Sequence, residues 1–316
     1  MKKKAFLVIS KKVLINLVIL LAVLALIITV TGIPLDFDIF FSGVSKKYVT
    51  NIPFSQVLDS IKNNFNIFFT GSGFKIILQG EPIVEVLIRS IGRSFLVIFG
   101  GIILAVIFGL AGGILFSNKR RKGGTGKLLL SLIPLSFTEV FVIVIVQLAA
   151  AWLYKNKVPI LGMGPIPSFG DEDLRMAFYP AISIAIIPAA YIARITAGVI
   201  EERFTKQYIM TARGKGCSTF TIIKTHMMKS ILYEVLSTSP IVMAIMFSSL
   251  VIIEKVYSYR GIGFYLTVFY TSPLFADEAA LGAFSVFVVV AAVIFFLIFT
   301  ALNGIKQVIV PHTKER

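Results

Sequence analysis

The chain has 316 residues, of which 57% are hydrophobic and only 15% are charged. Soluble domains carry about 25% charged residues, so this composition argues against a soluble globule and excludes a disordered chain. One cysteine, Cys217, excludes an intramolecular disulfide. The composition therefore indicates a protein that crosses a lipid bilayer several times, and its net charge of +15 indicates loops that face anionic lipid rather than nucleic acid.

Apolar stretches long enough to cross the bilayer recur along the chain. About 20 apolar residues cross roughly 30 Å of hydrocarbon as a helix. The first stretch follows five lysines but is too long for the core of a usual signal peptide, and we expect a retained anchor helix. We predict an all-α polytopic membrane protein with about six transmembrane helices, which span residues 13–33, 90–116, 128–154, 176–199, 231–254 and 281–303.

The distribution of lysine and arginine predicts the orientation. Nineteen of the 31 basic residues lie in segments that six spans would place on the side of the termini, namely residues 1–12, 117–127, 200–230 and 304–316. Nine lie in the segments that six spans would place on the opposite side, residues 34–88, 155–175 and 255–280, although these contain more residues in total. Since basic residues favour cytoplasmic loops, both termini are predicted to be cytoplasmic.

The segment between the first two spans contains an amphipathic pattern. Apolar residues recur at helical spacing, and Pro53 suits a first helical turn. We expect a helix that lies on the membrane surface or packs on the bundle, and a role in docking a partner is the alternative. The apolar positions are Phe54, Leu58, Ile61, Phe65 and Phe68.

Small residues recur every four positions in the second predicted span. Small side chains allow helix backbones to approach closely in lipid, so this pattern predicts a helix-packing face. The sequence does not say whether the neighbouring helix belongs to the same chain. The residues are Gly101, Ala105, Gly109 and Gly113.

No pattern of catalytic or metal-binding residues is present in the sequence. The turn from Gly123 to Lys127 is rich in glycine but lacks the spacing and the hydroxyl of a phosphate-binding loop. His226 and His312 lie far apart with no acidic or cysteine cluster beside them. We therefore expect a chain that is not itself an enzyme and that binds neither metal nor cofactor.

Several charged residues lie in or beside the apolar stretches, where they are costly unless they face protein or a wet cavity. Glu139 is the most central of them. It is either a structural partner of Arg93 or Arg194, or a residue of a translocation path. The others are Arg93, Arg194, Glu234, Glu254 and Lys255.

The most polar segment between two spans is the 201–230 loop. It predicts two short helices separated by Gly216, with cations Arg213 and Lys215 at the end of the first and Ser218 as the N-cap of the second. Gly216 is expected to have a positive φ. An apolar stripe is predicted along the second helix at Phe220, Ile223, Met227 and Ile231.

This loop resembles the cytoplasmic signature loop of ABC-importer permeases, in particular the oligopeptide, dipeptide and nickel branch. The resemblance rests on Tyr208, Thr211, Ala212, Arg213, Lys215, Gly216, Ser218 and His226. The run from Gly80 to Glu85 and the run Glu254-x-Val256-Tyr257-x-x-x-Gly261-Ile262-Gly263 also resemble this branch. The similarity extends over roughly residues 80–310.

The resemblance implies a type I ABC importer permease fold and a permease subunit in a bacterial plasma membrane. It implies four kinds of partner: a second homologous permease, two ATP-hydrolysing subunits, an extracellular substrate-binding protein and lipid. ATP would be hydrolysed by the partners, and the loop residues named above would couple them to this chain. The expected domains are an anchor helix with an external loop (1–79), a permease domain (80–310) and a cytoplasmic tail (311–316).

Alternatives to a peptide permease remain open from the sequence. The substrate of an importer could instead be nickel, a metallophore or another small solute. A secondary transporter would require symmetric halves, and no internal repeat is visible. A membrane scaffold would account for the docking loop but not for the ordered matches elsewhere.

Overall fold

The computed structural model describes residues 2–33, 39–42, 47–50, 53–78, 80–117, 138–160, 162, 164–271 and 278–309. These ranges are dominated by helices. The predicted glycine-rich turn at 123–127, His312 and the 311–316 tail lie outside them. So does the beginning of the third predicted span, residues 128–137.

The helices follow the apolar stretches of the sequence. They are α1 (Lys2–Thr31), α2 (Phe54–Phe69), α3 (Ile83–Phe116), α4 (Glu139–Lys155), α5 (Phe178–Phe204), α6 (Gln207–Gly214), α7 (Thr219–Ile222), α8 (Met228–Val256), α9 (Ile262–Thr271) and α10 (Glu278–Ile309). Single 3₁₀ turns precede β3 at Ser72–Lys75 and α5 at Leu174–Ala177. A π-helical turn, Ile223–Met227, joins α7 to α8.

Two short antiparallel hairpins interrupt the helical architecture. Strands β1 (Ile39–Ser42) and β2 (Lys47–Thr50) pair with Ile39 opposite Thr50. Strands β3 (Ile77–Leu78) and β4 (Glu81–Pro82) pair immediately before α3. Both hairpins lie outside the apolar helices, so the long apolar segments of the described chain are helical.

Four helical segments of the described chain are long and apolar enough to cross a membrane: Ile83–Phe116, Leu174–Phe204, Thr219–Val256 and Gly282–Leu302. They correspond to the second, fourth, fifth and sixth predicted spans. A fifth apolar segment, Ile15–Thr31, is shorter and belongs to α1. The helix α4 covers the part of the third predicted span that the structure describes. The total of six spans and the cytoplasmic location of the termini stay predictions.

The chain divides into two compact units. The first contains residues 1–91 and 265–297, and the second contains residues 92–264 and 298–316.

The centre of the second unit is α5, which packs against α4 and α8. The small-residue face of α3 lies directly on α5. A Cβ built on Gly109 would be 2.7 Å from Cβ of Ile192, and one built on Gly113 would meet Thr196. The neighbour of this face is therefore a helix of the same chain, and the close approach leaves no room for larger side chains at these positions.

The first unit contains α2 packed against the end of α1, and an aromatic cluster formed by Tyr265, Phe269 and Phe287. The predicted helix over 54–68 is present, with Pro53 at its N-cap position. Its buried residues are Val57 and Asn64, whereas Phe54 and Leu58 of the predicted apolar stripe are exposed. Asn64 can be buried because its amide donates to the backbone of α1.

Candidate functional site

The 201–230 loop begins with a short helix that is folded back on the end of α5. Side chains Ile209 and Ala212 of α6 are buried. The guanidinium carbon of Arg213 lies 4.5 Å from the ring centroid of Phe204, the last residue of α5. This is cation–π distance, so the end of α6 is held against the end of α5.

Gly216 terminates α6 in a Schellman motif. The N–H of Gly216 donates to the carbonyl of Arg213 at 2.9 Å, and the N–H of Cys217 donates to the carbonyl of Ala212 at 3.2 Å. Gly216 has a φ of 81°, as its sequence position predicts. This left-handed conformation costs glycine little and costs residues with a Cβ about 1–2 kcal/mol.

The second half of the loop starts at Ser218. Its Oγ accepts a 3.2 Å hydrogen bond from the N–H of Thr221, which makes Ser218 the N-cap of α7. After one turn the helix widens into the π-helical turn that contains His226. Such turns are rare and occur often at functional sites. The sequence contained no signal that predicted this one.

The loop has a buried side and an exposed side. Ile222, Ile223, Met227 and Ile231 are buried. Phe220 is 70% exposed, so its predicted place in the apolar stripe was wrong. Phe220 lies in the first turn of α7, before the π-helical turn, and the buried face begins at Ile222 and Ile223.

The exposed side carries large apolar side chains. Tyr208 is 44% exposed, Met210 is 61% exposed and Phe220 is 70% exposed. Single exposed apolar residues are normal, but three on one short loop form a candidate protein-binding surface. Of the residues that carry the family resemblance, Ala212 is buried. The others lie on the exposed side: Tyr208, Thr211, Arg213, Lys215, Gly216, Ser218 and His226.

A polar network lies at the opposite end of α8. Glu254 is completely buried, and its Oε1 accepts a 2.6 Å hydrogen bond from Ser94 of α3. Its carboxylate also accepts from the N–H groups of Gly263 and Phe264 in the first turn of α9. The N–H of Ile262 donates to Ser94 Oγ at 2.8 Å. One carboxylate thus caps α9 and ties it to α3 and α8.

Glycine is required where the chain passes this carboxylate. A Cβ built on Gly261 would collide with the carboxylate of Glu254, and one built on Gly263 would lie 2.6 Å from Cα of Val251. The sequence placed Glu254 at a span boundary and assigned it no role. The spacing from Glu254 to Gly261 and Gly263 was the sequence feature from which this contact could have been predicted.

A second buried carboxylate belongs to Asp171, in the segment before α5. Its side chain is 2% exposed and lies between two arginines. Arg93 Nη1 is 2.6 Å from Oδ2, and Arg260 Nη2 is 3.1 Å from Oδ1. These ion pairs join three segments that are distant in the sequence. Removing one partner would leave a buried charge uncompensated, which is strongly destabilising.

Two buried tyrosines, Tyr257 and Tyr259, follow Glu254 in the sequence. The hydroxyl groups of Tyr257 and Ser183 are 2.9 Å apart, within hydrogen-bond distance. Next to them, Gln147 Nε2 of α4 donates to the carbonyl of Val256 at 2.9 Å. Burial raises the pKa of Tyr257 to about 12 and that of Tyr259 to about 12. Both phenols are therefore neutral at physiological pH.

Glu139 is the first residue of α4 and is partly exposed. Arg93, one of its expected partners, is paired with Asp171 instead. Within the described ranges no ion pair joins Glu139 to Arg194. The first turn of a helix favours a carboxylate, which gives Glu139 a local electrostatic partner in α4.

No three histidine, cysteine, aspartate or glutamate side chains in the described part of the chain come close enough together to hold a metal ion.

Comparison with known proteins identifies the family. A sequence profile for the binding-protein-dependent transport system inner membrane component matches residues 101–315, more than half of the chain. The chain belongs to this family.

Several members of the inner membrane component family are similar to this chain. A putative peptide transport system permease protein of Brucella abortus is 25% identical over 203 residues, which are 63% of each chain. The dipeptide transport system permease protein DppB of Bacillus subtilis is 29% identical over 185 residues, 58% of each chain. DppB of Lactococcus lactis is 26% identical over 196 residues, 62% of each chain. The chain thus spans less than two thirds of the length of each of these relatives.

Both parts of the site lie within the region that the family profile matches, apart from Ser94 and Arg93, which precede it by a few residues. The loop and the polar network lie at opposite ends of the α5–α8 pair, because α5 leads into the loop and α8 leads out of it. A displacement of the loop would therefore act on the two helices that the network holds at their other ends.

Proposed function

We propose that this chain is a membrane-spanning permease subunit of an ATP-driven importer of peptides. It forms the translocation path with a second homologous permease. Two ATP-hydrolysing subunits bind its 201–230 loop, and an extracellular substrate-binding protein delivers the substrate. Family membership and the peptide transport names of the similar proteins support this function.

The observation that carries the proposal is the exposed apolar surface on a loop fixed at both ends. Tyr208, Met210 and Phe220 project from helices that are terminated by Gly216 and capped by Ser218. A flexible loop would absorb a displacement. A capped elbow packed on α5 transmits it to the membrane helices.

The mechanism is alternating access. Closure of the ATP-binding subunits would move α6 and α7 together with the adjoining ends of α5 and α8. The network around Glu254 and Asp171 would keep α3, α8 and the start of α9 together at the other end. The displaced helices would then open the path on one side while it closes on the other.

The chain itself would contribute no catalytic residue and would bind no cofactor, because ATP is hydrolysed by the partners. We assign residues 1–79 to an anchor helix with an external loop, 80–310 to the permease domain and 311–316 to the cytoplasmic tail. The coupling loop consists of Tyr208, Thr211, Ala212, Arg213, Lys215, Gly216, Ser218 and His226, of which Ala212 holds the loop from its buried side. Helix packing within the domain uses Gly101, Ala105, Gly109 and Gly113.

We assign Glu139 to the translocation path, since it is a partly exposed carboxylate at the start of an apolar helix. Glu139→Leu should reduce uptake while the protein still inserts into the membrane. Glu139→Gln should retain part of the activity if polarity rather than charge matters. Normal uptake by Glu139→Leu at normal expression would remove this residue from the path.

The function is tested by reconstitution in proteoliposomes. The chain is purified with its permease and ATP-binding partners, and accumulation of radiolabelled peptides is measured with the binding protein present. Uptake should require ATP and should fall in Phe220→Ala together with ATPase co-purification. Lys224→Ala, an exposed change in the same loop, is the matched control. Peptide uptake that continues without ATP would contradict the proposal.

A further inference from the structure

The helix α2 has an apolar arc wider than the face that it buries. Val57 and Asn64 form the buried edge. The opposite edge carries Phe54, Leu58 and Phe69, which are 67%, 45% and 85% exposed. At 3.6 residues per turn the two edges are roughly 90° apart around the helix axis. Three large apolar side chains thus leave about half or more of their surface uncovered by the described residues.

The middle of α2 is attached to the end of α1. Asn64 Nδ2 donates to the carbonyl of Ile28 at 2.8 Å and to Thr31 Oγ1 at 3.2 Å. A Cβ built on Gly32 would be 3.0 Å from Cα of Ile61. Thr31, the last residue of α1, and the following Gly32 are buried, whereas most side chains from Ile15 to Leu26 are exposed. The helix α2 therefore crosses the end of α1 rather than running alongside it.

The C-terminal end of α2 is attached to the start of another apolar helix. Side chains Ile67 and Ile76 both lie 3.2 Å from the position of a Cβ on Gly282. Gly282 lies about one turn after Glu278, the first residue of α10. Ile67 and Val286 also enclose Gly73, which follows α2.

These two attachments determine the depth of α2 relative to the bilayer. The helix α1 ends at Thr31, and the apolar part of α10 follows Glu278, the first residue of that helix. The end of α1 and the start of α10 therefore lie at a boundary of the hydrocarbon region. The middle of α2 contacts the end of α1, and its C-terminal end contacts the start of α10. The axis of α2 therefore follows the surface of the bilayer.

We propose that α2 is an interfacial helix whose strip Phe54, Leu58 and Phe69 inserts into the lipid at the end of α1. The helix α1, on whose end α2 packs, exposes most of its apolar side chains from Ile15 to Leu26, which supports lipid as the occupant of the strip. Aromatic side chains are favoured at the level of lipid headgroups. On the polar side, Asp59 and Lys62 are about three quarters exposed and form an ion pair at 3.7 Å. Lipid contact along the strip would stabilise the position of α1.

This inference rests on the membrane location of the family and not on the transport function proposed above. It is tested with single cysteines in a Cys217→Ser background, spin-labelled in the full-length chain with its co-purifying subunits in lipid nanodiscs. The positions are Phe54→Cys, Leu58→Cys and Phe69→Cys, with Asp59→Cys and Asn63→Cys as matched controls on the polar side. Collision rates with oxygen, which concentrates in lipid, and with a water-soluble nickel chelate are compared.

We expect the ratio of oxygen to nickel collisions to be several-fold higher at the strip than at the controls. High nickel collision at all five positions would show that the strip faces water and would overturn the proposal. Low collision rates with both reagents at the strip would show that protein covers it, which would overturn the proposal in favour of a docking surface. A Leu58→Asp variant gives a second measurement, since it should lower the midpoint of thermal unfolding more in nanodiscs than in detergent.

Discussion

Ser94 Oγ donates a 2.6 Å hydrogen bond to Glu254 Oε1, and neither side chain is more than 2% exposed. The two residues are 160 positions apart. Ser94 also accepts the N–H of Ile262, so a single hydroxyl connects α3 with the carboxylate of α8 and the start of α9. This small group holds the end of the bundle that is remote from the 201–230 loop.

Ser94→Ala should lower the free energy of unfolding by about 1–3 kcal/mol, because it leaves a buried carboxylate oxygen and a buried N–H without their partner. Thermal unfolding in detergent measures the effect. Ser249→Ala is the control, since the buried Ser249 hydroxyl donates only to a carbonyl of its own helix. Equal stability of the two variants would mean that Ser94 does not hold the network.

Gly261→Ala should destabilise the protein more than Gly198→Ala. A Cβ at Gly261 would collide with the buried carboxylate of Glu254, whereas a Cβ at Gly198 meets no atom within 4 Å. We expect a loss of about 1–3 kcal/mol at Gly261 from overpacking, and a small gain at Gly198 because alanine favours the helix. The difference between the two thermal unfolding midpoints measures the effect. Equal midpoints would contradict this geometry.

Asp171→Asn should destabilise the protein by about 2–3 kcal/mol, since it leaves the largely buried Arg93 without its ion pair. Arg260→Gln should cost less than Arg93→Gln, because Arg260 is 55% exposed and Arg93 is 22% exposed. Arg89→Gln removes an exposed pair with Glu81 and should change stability little. Thermal unfolding of the four variants tests this order, and a larger effect at Arg89 than at Arg93 would reject it.

Gly216→Val should impair coupling while the protein still inserts. The φ of 81° is unfavourable for a β-branched residue, so α6 and α7 would lose their relative orientation. Gly214→Ala is the matched control, since Gly214 is the last residue of α6 and a Cβ there meets nothing within 4 Å. Peptide uptake and ATPase co-purification are measured together. Full retention of both in Gly216→Val would exclude the loop as the coupling element.

The distribution of basic residues predicts the orientation of the chain in the membrane. Asn63→Cys should react with an impermeant thiol reagent in intact cells, and Thr125→Cys should react only after the membrane is opened, both in a Cys217→Ser background. Labelling is compared before and after permeabilisation. Reaction of Thr125→Cys but not of Asn63→Cys from outside would invert the topology.

The sequence alone predicted the structural features that depend on residues close together in the chain. Apolar segments predicted the membrane helices because a helix must present a long apolar surface to lipid, whatever its partners are. The end of α6 at Gly216 and the start of α7 at Ser218 follow from local hydrogen bonds between residues a few positions apart. The helix over 54–68 was predicted from spacing for the same reason.

Only the tertiary structure decided which side chains meet. Arg93 was weighed as a partner of Glu139 but pairs with Asp171, and Glu254 was placed at a boundary but is fully buried. In α2 the buried edge is set by Asn64, whose amide finds a carbonyl of α1. A charged or amide group is buried where residues distant in the chain form its hydrogen bonds or ion pairs. Those partners cannot be predicted from the spacing of residues along one helix.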